Sequence, residues 1–350
     1  MGDMARILHV TECHDGGVSS AIRKLVDLTP EHEHYILLDG GDLDVSRATR
    51  EVRMFRAKGM LKRTLEVRRA VADINPDYVH LHSSWAGAYG RITPLKAKTI
   101  YQPHCYKFDD SSLSPAKRWI YRAAEKVLSF RSDKTVVLSE HEARLTFELN
   151  ATATCFYVPN VPSCEQVDEE MTSGAPEDGA RRVLMVGRIC EQKDPLFFGQ
   201  VAKLAASSPV LSGFIFRWVG DGEHDLREAL QDDGVEVAGW KQGNELLAEL
   251  DAGDYYVHSA AYEGFPISIL DAAARGLPII GRSIDALIGS GAYLAESPEE
   301  VVDALERAEV QPEFQDALLD RSKLLLAART DADQERAWLN LYSSSVEVTS

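Results

Sequence analysis

The stretch RILHVTECHDGGVSSAIRKLVDL, residues 6–28, decides how the fold of this chain is interpreted. It opens with an apolar run over residues 6–13, turns at Gly16 and Gly17, and continues with helical spacing of apolar residues to Leu28. A buried strand, a glycine turn and an amphipathic helix in this order are the start of a βαβ unit. Similar apolar runs occur at residues 35–39, 78–82, 99–102 and 135–138, with helical patterns near 46–72, 114–131 and 140–149. This alternation predicts a parallel sheet that is covered by helices on both faces.

An acidic, apolar-poor segment at residues 163–180, SCEQVDEEMTSGAPEDGA, has the composition of a linker. After it the alternation begins again, with strand patterns at residues 182–186, 214–219, 235–238, 255–258 and 278–281. A chain of 350 residues is also too long for one hydrophobic core and suits two domains of about 150 residues each. We therefore expect two doubly wound α/β domains, residues 1–163 and 164–331, which bind ligands at the carboxyl ends of their strands.

The composition excludes several classes of protein. The net charge of -17 argues against a nucleic-acid partner, although residues 1–163 carry +3 and residues 164–350 carry -20. The five cysteines are odd in number and form no C-x-x-C pair, which excludes a disulfide scaffold or a zinc ribbon and fits a reducing cytoplasm. No apolar run approaches the roughly 20 residues of a membrane-spanning helix. The first ten residues lack the layout of a signal peptide, so we expect a cytoplasmic protein.

Two segments offer features that bind phosphate. Gly16 and Gly17 lie where a helix begins, and glycines there let free backbone amides approach an anion. No G-x-G-x-x-G is present, so a plain tight turn is the alternative. In VGRICEQK, residues 186–193, Arg188 and Lys193 follow a strand end, and this fork and point charge suit a diphosphate held without metal. Two cations of a solvated loop are the alternative there.

The stretch YEGFPISILD, residues 262–271, combines a strand end, a turn and a helix start. Pro266 is favourable at the helix start, and the first amides of that helix again attract anions. Glu263 and Asp271 each offer a carboxylate for the hydroxyls of a sugar. The alternative for Glu263 is a loop carboxylate without a function, and the alternative for Asp271 is an exposed helix residue.

Histidines form a further group of candidates. His80 and His82 share one face of a strand, a spacing that a metal site can use. No third and fourth ligand accompanies them in the sequence, so we predict no metal. His104 follows a strand end, where site residues of a parallel sheet belong. A hydrogen-bonded loop histidine is the alternative.

Taken together, these motifs resemble the family 4 retaining glycosyltransferases of bacterial polysaccharide and glycan assembly. These enzymes have the GT-B architecture, in which two Rossmann-like domains face each other across a cleft. Each motif is weak alone, whereas the ordered set is specific and extends over nearly the whole chain. The matching stretches are Gly16-Gly17-Val18, DYVHLH at 77–82, Pro103-His104, SFRSDKTVVLSE at 129–140, Val158-Pro159-Asn160, residues 186–193, VGDGE at 219–223, residues 235–240 and residues 263–271.

The resemblance implies transfer of a hexose, with retention of configuration and without a metal or other cofactor. The donor would be a nucleotide diphosphate sugar, UDP-linked by family habit, and the acceptor a glycan or a lipid-linked glycan. Arg188 and Lys193 would neutralise the leaving diphosphate, and His104 would hydrogen-bond the sugar or the phosphate. Glu263 would contact the donor sugar and Asp271 the ribose. The implied catalytic residues are His104, Glu263, Arg188 and Lys193, and the implied donor-binding residues are Gly16, Gly17, Arg188, Lys193, Glu263, Gly264, Phe265, Pro266, Ile267, Ser268 and Asp271.

The C-terminal stretch resembles the family's last helix. A crossover helix over residues 332–350 would return to the first domain, with Trp338, Leu341 and Tyr342 as its buried stripe. Two departures from the family are Asp271, which is one methylene shorter than the usual Glu, and a short loop at residues 282–287. Two other functions therefore stay open, a catalytically silent GT-B subunit that supports a partner transferase and a hydrolysing nucleotide-sugar 2-epimerase.

Basic segments in the first half indicate a further partner. Residues 50–69 hold eight cations against two acids, and residues 114–131 hold five cations around Trp119 and Tyr121. Ordinary solvated helices are the alternative for each. Because both segments lie in the half that is not acidic, we expect the first domain to dock on an anionic membrane, at its inner face, that carries a lipid-linked acceptor.

Overall fold

The computed structural model of the protein describes residues 4–12, 16–40, 48–167 and 179–343. The chain forms two compact units, the first made of Met1–Asn160 and Thr330–Ser350 and the second of Val161–Arg329. The division expected after residue 163 thus lies close to the observed one after Asn160. Residues 168–178 of the expected linker lie outside the described residues.

The first unit is built on a seven-stranded sheet of order β3-β2-β1-β4-β5-β6-β7, in which every pairing is parallel. Its described elements are β1 (Arg6–Thr11), α1 (Gly17–Leu28), β2 (Glu33–Leu38), β3 (Thr49–Met54), α2 (Met60–Ile74), β4 (Tyr78–His82), α3 (Ser84–Arg91), β5 (Lys98–Gln102), α4 (Pro115–Ser129), β6 (Lys134–Val137), α5 (Glu140–Leu149) and β7 (Cys155–Tyr157).

The second unit is built on a six-stranded parallel sheet of order β10-β9-β8-β11-β12-β13. Its described elements are β8 (Arg182–Val186), α6 (Pro195–Ala205), β9 (Ile215–Val219), α7 (His224–Asp232), β10 (Glu236–Gly239), α8 (Asn244–Asp251), β11 (Tyr255–His258), α9 (Ile267–Ala274), β12 (Ile279–Arg282), β13 (Tyr293–Ala295), α10 (Pro298–Val310) and α11 (Pro312–Leu326). The prediction of doubly wound α/β structure in both halves is confirmed.

The strand order explains where ligands would bind in each unit. The order reverses between β1 and β4 in the first sheet and between β8 and β11 in the second. Loops diverge at such a reversal, and a crevice opens at the carboxyl ends of the two strands. The chain segments that follow these four strands are therefore the first place to look for a site.

The apolar run of β1 follows from its position. The strand pairs with β2 on one side and β4 on the other, and all its residues after Arg6 are buried. Leu8 and Val10 belong to one hydrophobic cluster and Ile7 belongs to another. Both faces of the strand are thus covered, and an alternating polar pattern is absent for that reason.

The helix predicted over residues 46–72 is wrong in its first part. Residues 49–54 form the edge strand β3, and α2 begins only at Met60, after Gly59 with φ 92°. β3 pairs with β2 alone and is mostly exposed, so it carries no apolar alternation that could reveal it. Residues 46 and 47 lie outside the described residues.

The last helix, α12 (Asp331–Tyr342), belongs to the first unit. Trp338, Leu341 and Tyr342 are buried in the cluster that contains Ile7, which confirms the predicted stripe. Gln334 Nε2 donates to the carbonyl of Pro159 at 2.7 Å and joins the helix to the end of the first segment. Residues 344–350 of the expected helix lie outside the described residues.

No helix among the described residues combines the length and the apolar character needed to cross a membrane.

Candidate active site

The loop after β8 displays Arg188 at the carboxyl edge of the second sheet. On either side of Arg188, the amide of Gly187 donates to Val219 at 3.0 Å and the amide of Ile189 to Asp221 at 3.0 Å. These bonds hold the loop in extended form, and the Arg188 side chain is exposed with no hydrogen bond or ion pair to another described residue. An unpaired guanidinium in a fixed place suits an anionic ligand.

The sequence VGDGE on the neighbouring loop is explained by the same contact. A Cβ at Gly222 would lie 2.1 Å from the carbonyl oxygen of Ile189, and one at Gly220 would lie 2.0 Å from that of Gly187. Only glycine lets the two loops approach so closely. The motif therefore supports the position of Arg188 and needs no ligand contact of its own.

Lys193 and Glu263 form an ion pair beside this loop. Lys193 ends a short 3-10 turn after β8, Glu263 follows β11, and Nζ of Lys193 contacts Oε1 of Glu263. Both side chains are largely buried, with 17% and 10% of their surface exposed. Gln192 Nε2 donates to the other carboxylate oxygen, Oε2, at 3.3 Å. Two residues 70 positions apart thus meet where the strand order reverses.

His258 lies under this pair. Its Nε2 is 3.7 Å from Oε1 of Glu263, and this nitrogen is buried without a hydrogen-bond partner among the described residues. Burial, and then the positive charge of Lys193, hold the pKa of His258 well below its ordinary value. A neutral imidazole therefore faces the Lys193–Glu263 pair.

The turn after Glu263 leads into helix α9, as the sequence predicted. Pro266 precedes the first helical residue, Ile267, and the first N–H groups of a helix have no partner within it. Ser268 accepts a hydrogen bond from the Tyr256 hydroxyl at 3.0 Å. The ring of Phe265 is buried, with the Arg329 guanidinium 3.7 Å from its centre. The side chain of Phe265 therefore packs, and its backbone and that of Gly264 form the turn.

Asp271 contacts a different part of the second unit. The amide of Ser163 donates to its Oδ1 at 2.6 Å and the hydroxyl of Ser163 to its Oδ2 at 2.8 Å. Burial raises the pKa of Asp271, and these hydrogen bonds oppose that shift. Both carboxylate oxygens are thus engaged, and the ribose contact assigned to Asp271 stays a prediction.

In the first unit, Gly16 directly precedes helix α1 at the carboxyl edge of the sheet. Gly16 has φ 79°, which favours glycine, and a Cβ added at Gly16 or Gly17 meets no atom within 4 Å. The helix start thus borders open space, as an anion site requires. Cys13, His14 and Asp15, which precede it, lie outside the described residues.

His104 lies in a strained turn after β5. His104 and Cys105 have φ values of 53° and 94°, a conformation that non-glycine residues rarely adopt. Glu142 holds the turn, because its carboxylate accepts from the amide of Cys105 at 2.6 Å and from that of Leu138 at 2.8 Å. Such strain is typical of functional sites and persists only where surrounding structure imposes it. Burial lowers the pKa of His104 to about 3, so the ring is neutral.

A second polar cluster, which the sequence did not reveal, follows β1. Glu12 accepts hydrogen bonds from Ser83 Oγ at 3.2 Å and from the Tyr89 hydroxyl at 3.4 Å, and burial raises its pKa to about 6. Arg63 on α2 reaches Tyr89 at 3.3 Å and Asp39 at 2.5 Å. These residues are far apart in sequence, and no motif joins them.

Family models and solved structures identify the architecture. Residues 16–160 match the model described as glycosyl transferase 4-like domain, and residues 180–309 match glycosyl transferases group 1. The two matches lie in the two units in order and include Gly16, His104, Arg188, Lys193 and Glu263. The chain belongs to the family 4 glycosyltransferases of GT-B fold.

Solved structures show the same fold at low identity. Sucrose-phosphate synthase from Thermosynechococcus elongatus has a TM-score of 0.80 at 16% identity, and the superposition covers 96% of this chain and 98% of the synthase chain. Anabaena HepE, solved in complex with UDP and glucose, has a TM-score of 0.76 at 14% identity and covers 97% and 100%.

Two curated relatives are more similar in sequence. A 41.2 kDa protein of the cps region of Klebsiella pneumoniae, described as uncharacterized, is 24% identical over 80% of this chain and 82% of its own length. An Escherichia coli UDP-Gal:alpha-D-GlcNAc-diphosphoundecaprenol alpha-1,3-galactosyltransferase is 28% identical over 60% of this chain and 58% of its own. One of these two relatives is thus named for the transfer of galactose to a lipid-linked acceptor.

In the first unit, the structure adds a third histidine to the His80–His82 pair and forms a cluster of side chains that could hold a metal ion. His9 on β1 joins His80 and His82 on β4, and one ligand atom from each lies within 4.8 Å of the others. The third histidine was overlooked because only the pairing of β1 with β4 brings it beside the other two. The nitrogens of His9 and His82 are all engaged in hydrogen bonds with other histidines, whereas Nε2 of His80 is buried without a hydrogen-bond partner among the described residues.

The two segments expected to face a membrane differ in the structure. In residues 50–69, Arg63 is buried and Arg53 pairs with Glu51 and Asp73, so neither faces outward as a free cation. The assignment of Arg63 to a membrane surface is wrong, because its guanidinium lies against the Phe55 ring in the interior. Residues 114–131 contain α4, whose apolar side chains are largely exposed.

Proposed function

We propose that this family 4 glycosyltransferase is a retaining, metal-independent hexosyltransferase that uses a UDP-sugar donor and a lipid-linked glycan acceptor. The observation that carries the proposal is Arg188, which has no partner in the described part of the chain, beside the Lys193–Glu263 ion pair at the strand-order reversal of the second sheet. The Escherichia coli relative supports the donor and acceptor, since its name gives UDP-galactose and a diphosphoundecaprenol-linked sugar.

In this arrangement the diphosphate of the donor would bind to Arg188 and Lys193. Arg188 offers its planar fork to one phosphate, and Lys193 offers a point charge to the other. Because Glu263 pairs with Lys193, an arriving phosphate must share Lys193 with that carboxylate. Glu263 would thereby be directed towards the sugar, whose hydroxyls can donate to it.

The transfer itself is a substitution at the anomeric carbon of the sugar. The bond from that carbon to the β-phosphate oxygen breaks, and a bond to the acceptor oxygen forms on the same face. The acceptor proton passes to the departing phosphate oxygen, so no protein nucleophile is needed. Arg188 and Lys193 would stabilise the negative charge that develops on the diphosphate, which is where electrostatic catalysis contributes most.

A direct assay separates this proposal from the other functions of similar architecture. The protein is incubated with UDP-galactose or UDP-glucose, with and without a diphosphoundecaprenol-linked sugar, and free UDP is measured. Release of UDP only with acceptor supports transfer. Release without acceptor indicates a hydrolysing epimerase, and tight binding of UDP without release on any acceptor indicates a silent subunit.

Metal independence has its own test. Activity should survive EDTA, because Arg188 and Lys193 supply the positive charge. Arg188→Ala should weaken UDP binding roughly 10- to 100-fold, since a charge-assisted hydrogen bond contributes about 1.5–3 kcal/mol. Complete loss in EDTA that magnesium or manganese restores would contradict the assignment. Lys203→Ala, which changes an exposed lysine of the same acidic unit, is the matched control.

Helix α4 supports contact with a membrane that carries the acceptor. Trp119, Ile120, Val127 and Phe130 are 70%, 58%, 69% and 67% exposed. At about 100° per residue they fall within one arc of roughly 100°. The helix buries only Glu125 and Ser129, so its apolar stripe faces outward instead of the core. Amphipathic helices of this kind lie in the interface of a bilayer.

Cations border the stripe as an anionic surface requires. Lys117 lies on one side of it and Lys126 on the other, and both are exposed. In α2, Leu61 and Lys62 are exposed in the same way, so the outer face of that helix remains part of the proposed surface after Arg63 is excluded. Each cation near an anionic bilayer contributes about 1 kcal/mol, and salt screens it.

Sedimentation with vesicles tests this surface. The protein should bind phosphatidylglycerol vesicles and leave neutral phosphatidylcholine vesicles unbound, and the Trp119→Ser, Phe130→Ser double variant should lose that binding. Val310→Ser removes a side chain that is 60% exposed in the acidic unit, and it should have no effect. Equal binding to both kinds of vesicle, or full binding by the double variant, would refute the membrane contact.

A further inference from the structure

A row of histidines crosses the first sheet and ends at His104, the candidate site residue of the first unit. His34 on β2, His9 on β1 and His82 on β4 are buried, and His104 follows β5. These four strands are neighbours in the sheet. Nδ1 of His34 is 3.0 Å from Nε2 of His9, Nδ1 of His9 is 3.1 Å from Nε2 of His82, and Nδ1 of His82 is 3.1 Å from Nε2 of His104.

The chain of hydrogen bonds that joins these histidines has a defined direction at its far end, His34. Nε2 of His34 is 2.9 Å from the carbonyl oxygen of Thr29, which can only accept a hydrogen bond. The Thr29 hydroxyl, 3.2 Å from the same nitrogen, already donates its proton to the carbonyl of Leu25 at 2.7 Å. Nε2 of His34 therefore carries the proton, because otherwise it would face two acceptors.

The direction passes from ring to ring. Burial lowers the pKa of each of the four histidines, so each ring is neutral, with one N–H donor and one bare nitrogen. With Nε2 of His34 protonated, its Nδ1 must accept from His9. His9 must then accept from His82 in the same way, and His82 from His104. The last ring carries its proton on Nε2.

We propose that the Thr29 carbonyl, acting through His34, His9 and His82, holds His104 as the Nε2–H tautomer and leaves its Nδ1 as a hydrogen-bond acceptor. Nδ1 of His104 has no hydrogen-bond partner among the described residues, so it is available to a ligand. A bare nitrogen repels a phosphate oxygen and accepts from a hydroxyl. His104 therefore recognises a sugar hydroxyl and not the diphosphate, an assignment that rests on the proposed function.

Thr29, His34, His9 and His82 are positioning residues in this scheme. Removing a distant member changes which nitrogen of His104 is protonated, without touching the ligand. A bound metal at His9, His80 and His82 is the competing arrangement, because it would use the nitrogens that the chain uses. The two arrangements differ in where the protons are, and that difference is measurable.

Nitrogen NMR on the full-length protein labelled with 15N-histidine tests the chain directly. We expect Nε2–H tautomers for all four rings, and couplings across the three N–H···N bonds that join each Nε2 to the next Nδ1. His80→Gln changes an equally buried histidine outside the chain and should preserve the couplings. A His104 ring protonated at Nδ1, absent couplings, or stoichiometric zinc in the purified protein would overturn the proposal.

Two variants separate positioning from packing. In His34→Phe the link to Thr29 is lost and an aromatic ring is kept, so both tautomers of His104 should be populated. In Thr29→Val only the hydroxyl is lost and the carbonyl remains, so the tautomer should be unchanged. A single tautomer in His34→Phe would show that the chain does not set it. The wild-type spectrum decides the matter if His34→Phe fails to fold.

A binding experiment tests the hydroxyl contact separately. His104→Phe should leave the Kd for bare UDP within about twofold and weaken the UDP-sugar at least tenfold. Equal weakening of UDP and UDP-sugar would place His104 on the phosphate and refute the hydroxyl assignment. If the wild-type protein binds no nucleotide sugar, the proposed function fails while the NMR result still stands by itself.

Discussion

Variants of the Lys193–Glu263 ion pair should change the stability of the protein and its affinity for UDP independently. In Lys193→Met, Glu263 keeps its buried carboxylate, with Gln192 at 3.3 Å and His258 at 3.7 Å as its remaining neighbours. Removing one member of a buried pair costs about 3–5 kcal/mol. Since the two side chains are 17% and 10% exposed, we expect the lower end of this range. For a unit of this size, 3 kcal/mol corresponds to a fall in Tm of roughly 6–12 °C.

The double variant Lys193→Met, Glu263→Gln provides the control. It removes both charges, so its Tm should return to within a few degrees of the wild type. Its affinity for UDP should stay as low as that of Lys193→Met, because the cation is still missing. Glu263→Gln alone should bind UDP at least as tightly as the wild type, since its Lys193 is no longer neutralised, while transfer of the sugar falls sharply.

Calorimetry gives the Tm values, and titration with bare UDP gives the Kd values. The coupling between the two positions follows from a double-mutant cycle. An unchanged Tm in Lys193→Met, or losses that simply add in the double variant, would refute the ion pair as a stabilising contact. Restored UDP binding in the double variant would refute the role of Lys193 in holding phosphate.

Three further predictions concern single residues. Asp271→Ala should lower stability by about 1.5–3 kcal/mol, because the hydrogen bonds from Ser163 are lost. If Asp271 contacts the ribose, calorimetry should also show a higher Kd for UDP in Asp271→Ala and an unchanged Kd in Ser163→Ala. Equal Kd values in the two variants would contradict that contact. Burial raises the pKa of Glu142 to about 7, so wild-type stability should fall as pH rises from about 4.5 to 7. In urea unfolding, the stability of Glu142→Gln should rise by on the order of 3 kcal/mol relative to the wild type over that window. A stability difference that stays constant with pH would exclude the shift. Gly222→Ala should weaken UDP binding at least tenfold by displacing the Arg188 loop, whereas Gly213→Ala, whose Cβ meets no atom within 4 Å, should bind normally, and equal titration curves would reject this account.

Much of the architecture could be predicted from the sequence, because it depends on local patterns. A strand buried on both faces is mostly apolar, and β1 between β2 and β4 is such a strand, with His9 and Thr11 as its buried polar residues. Arg188, Lys193 and Glu263 could be placed at one sheet edge from the sequence, because each lies in a segment that follows a strand and parallel strands end at one edge. β3 was mistaken for helix because an exposed edge strand carries no such pattern.

What only the tertiary structure decided is which distant side chains meet. Glu12 and Arg63 were missed because the strand order brings them together around Tyr89 without any shared motif. The engagement of Asp271 by Ser163 depends on where the second unit begins. The direction of the histidine chain depends on the register of three strands and on a single carbonyl at Thr29. Sequence patterns report the burial of each residue, whereas a hydrogen bond between distant residues needs positions within a few tenths of an ångström, and only the packed sheet sets those.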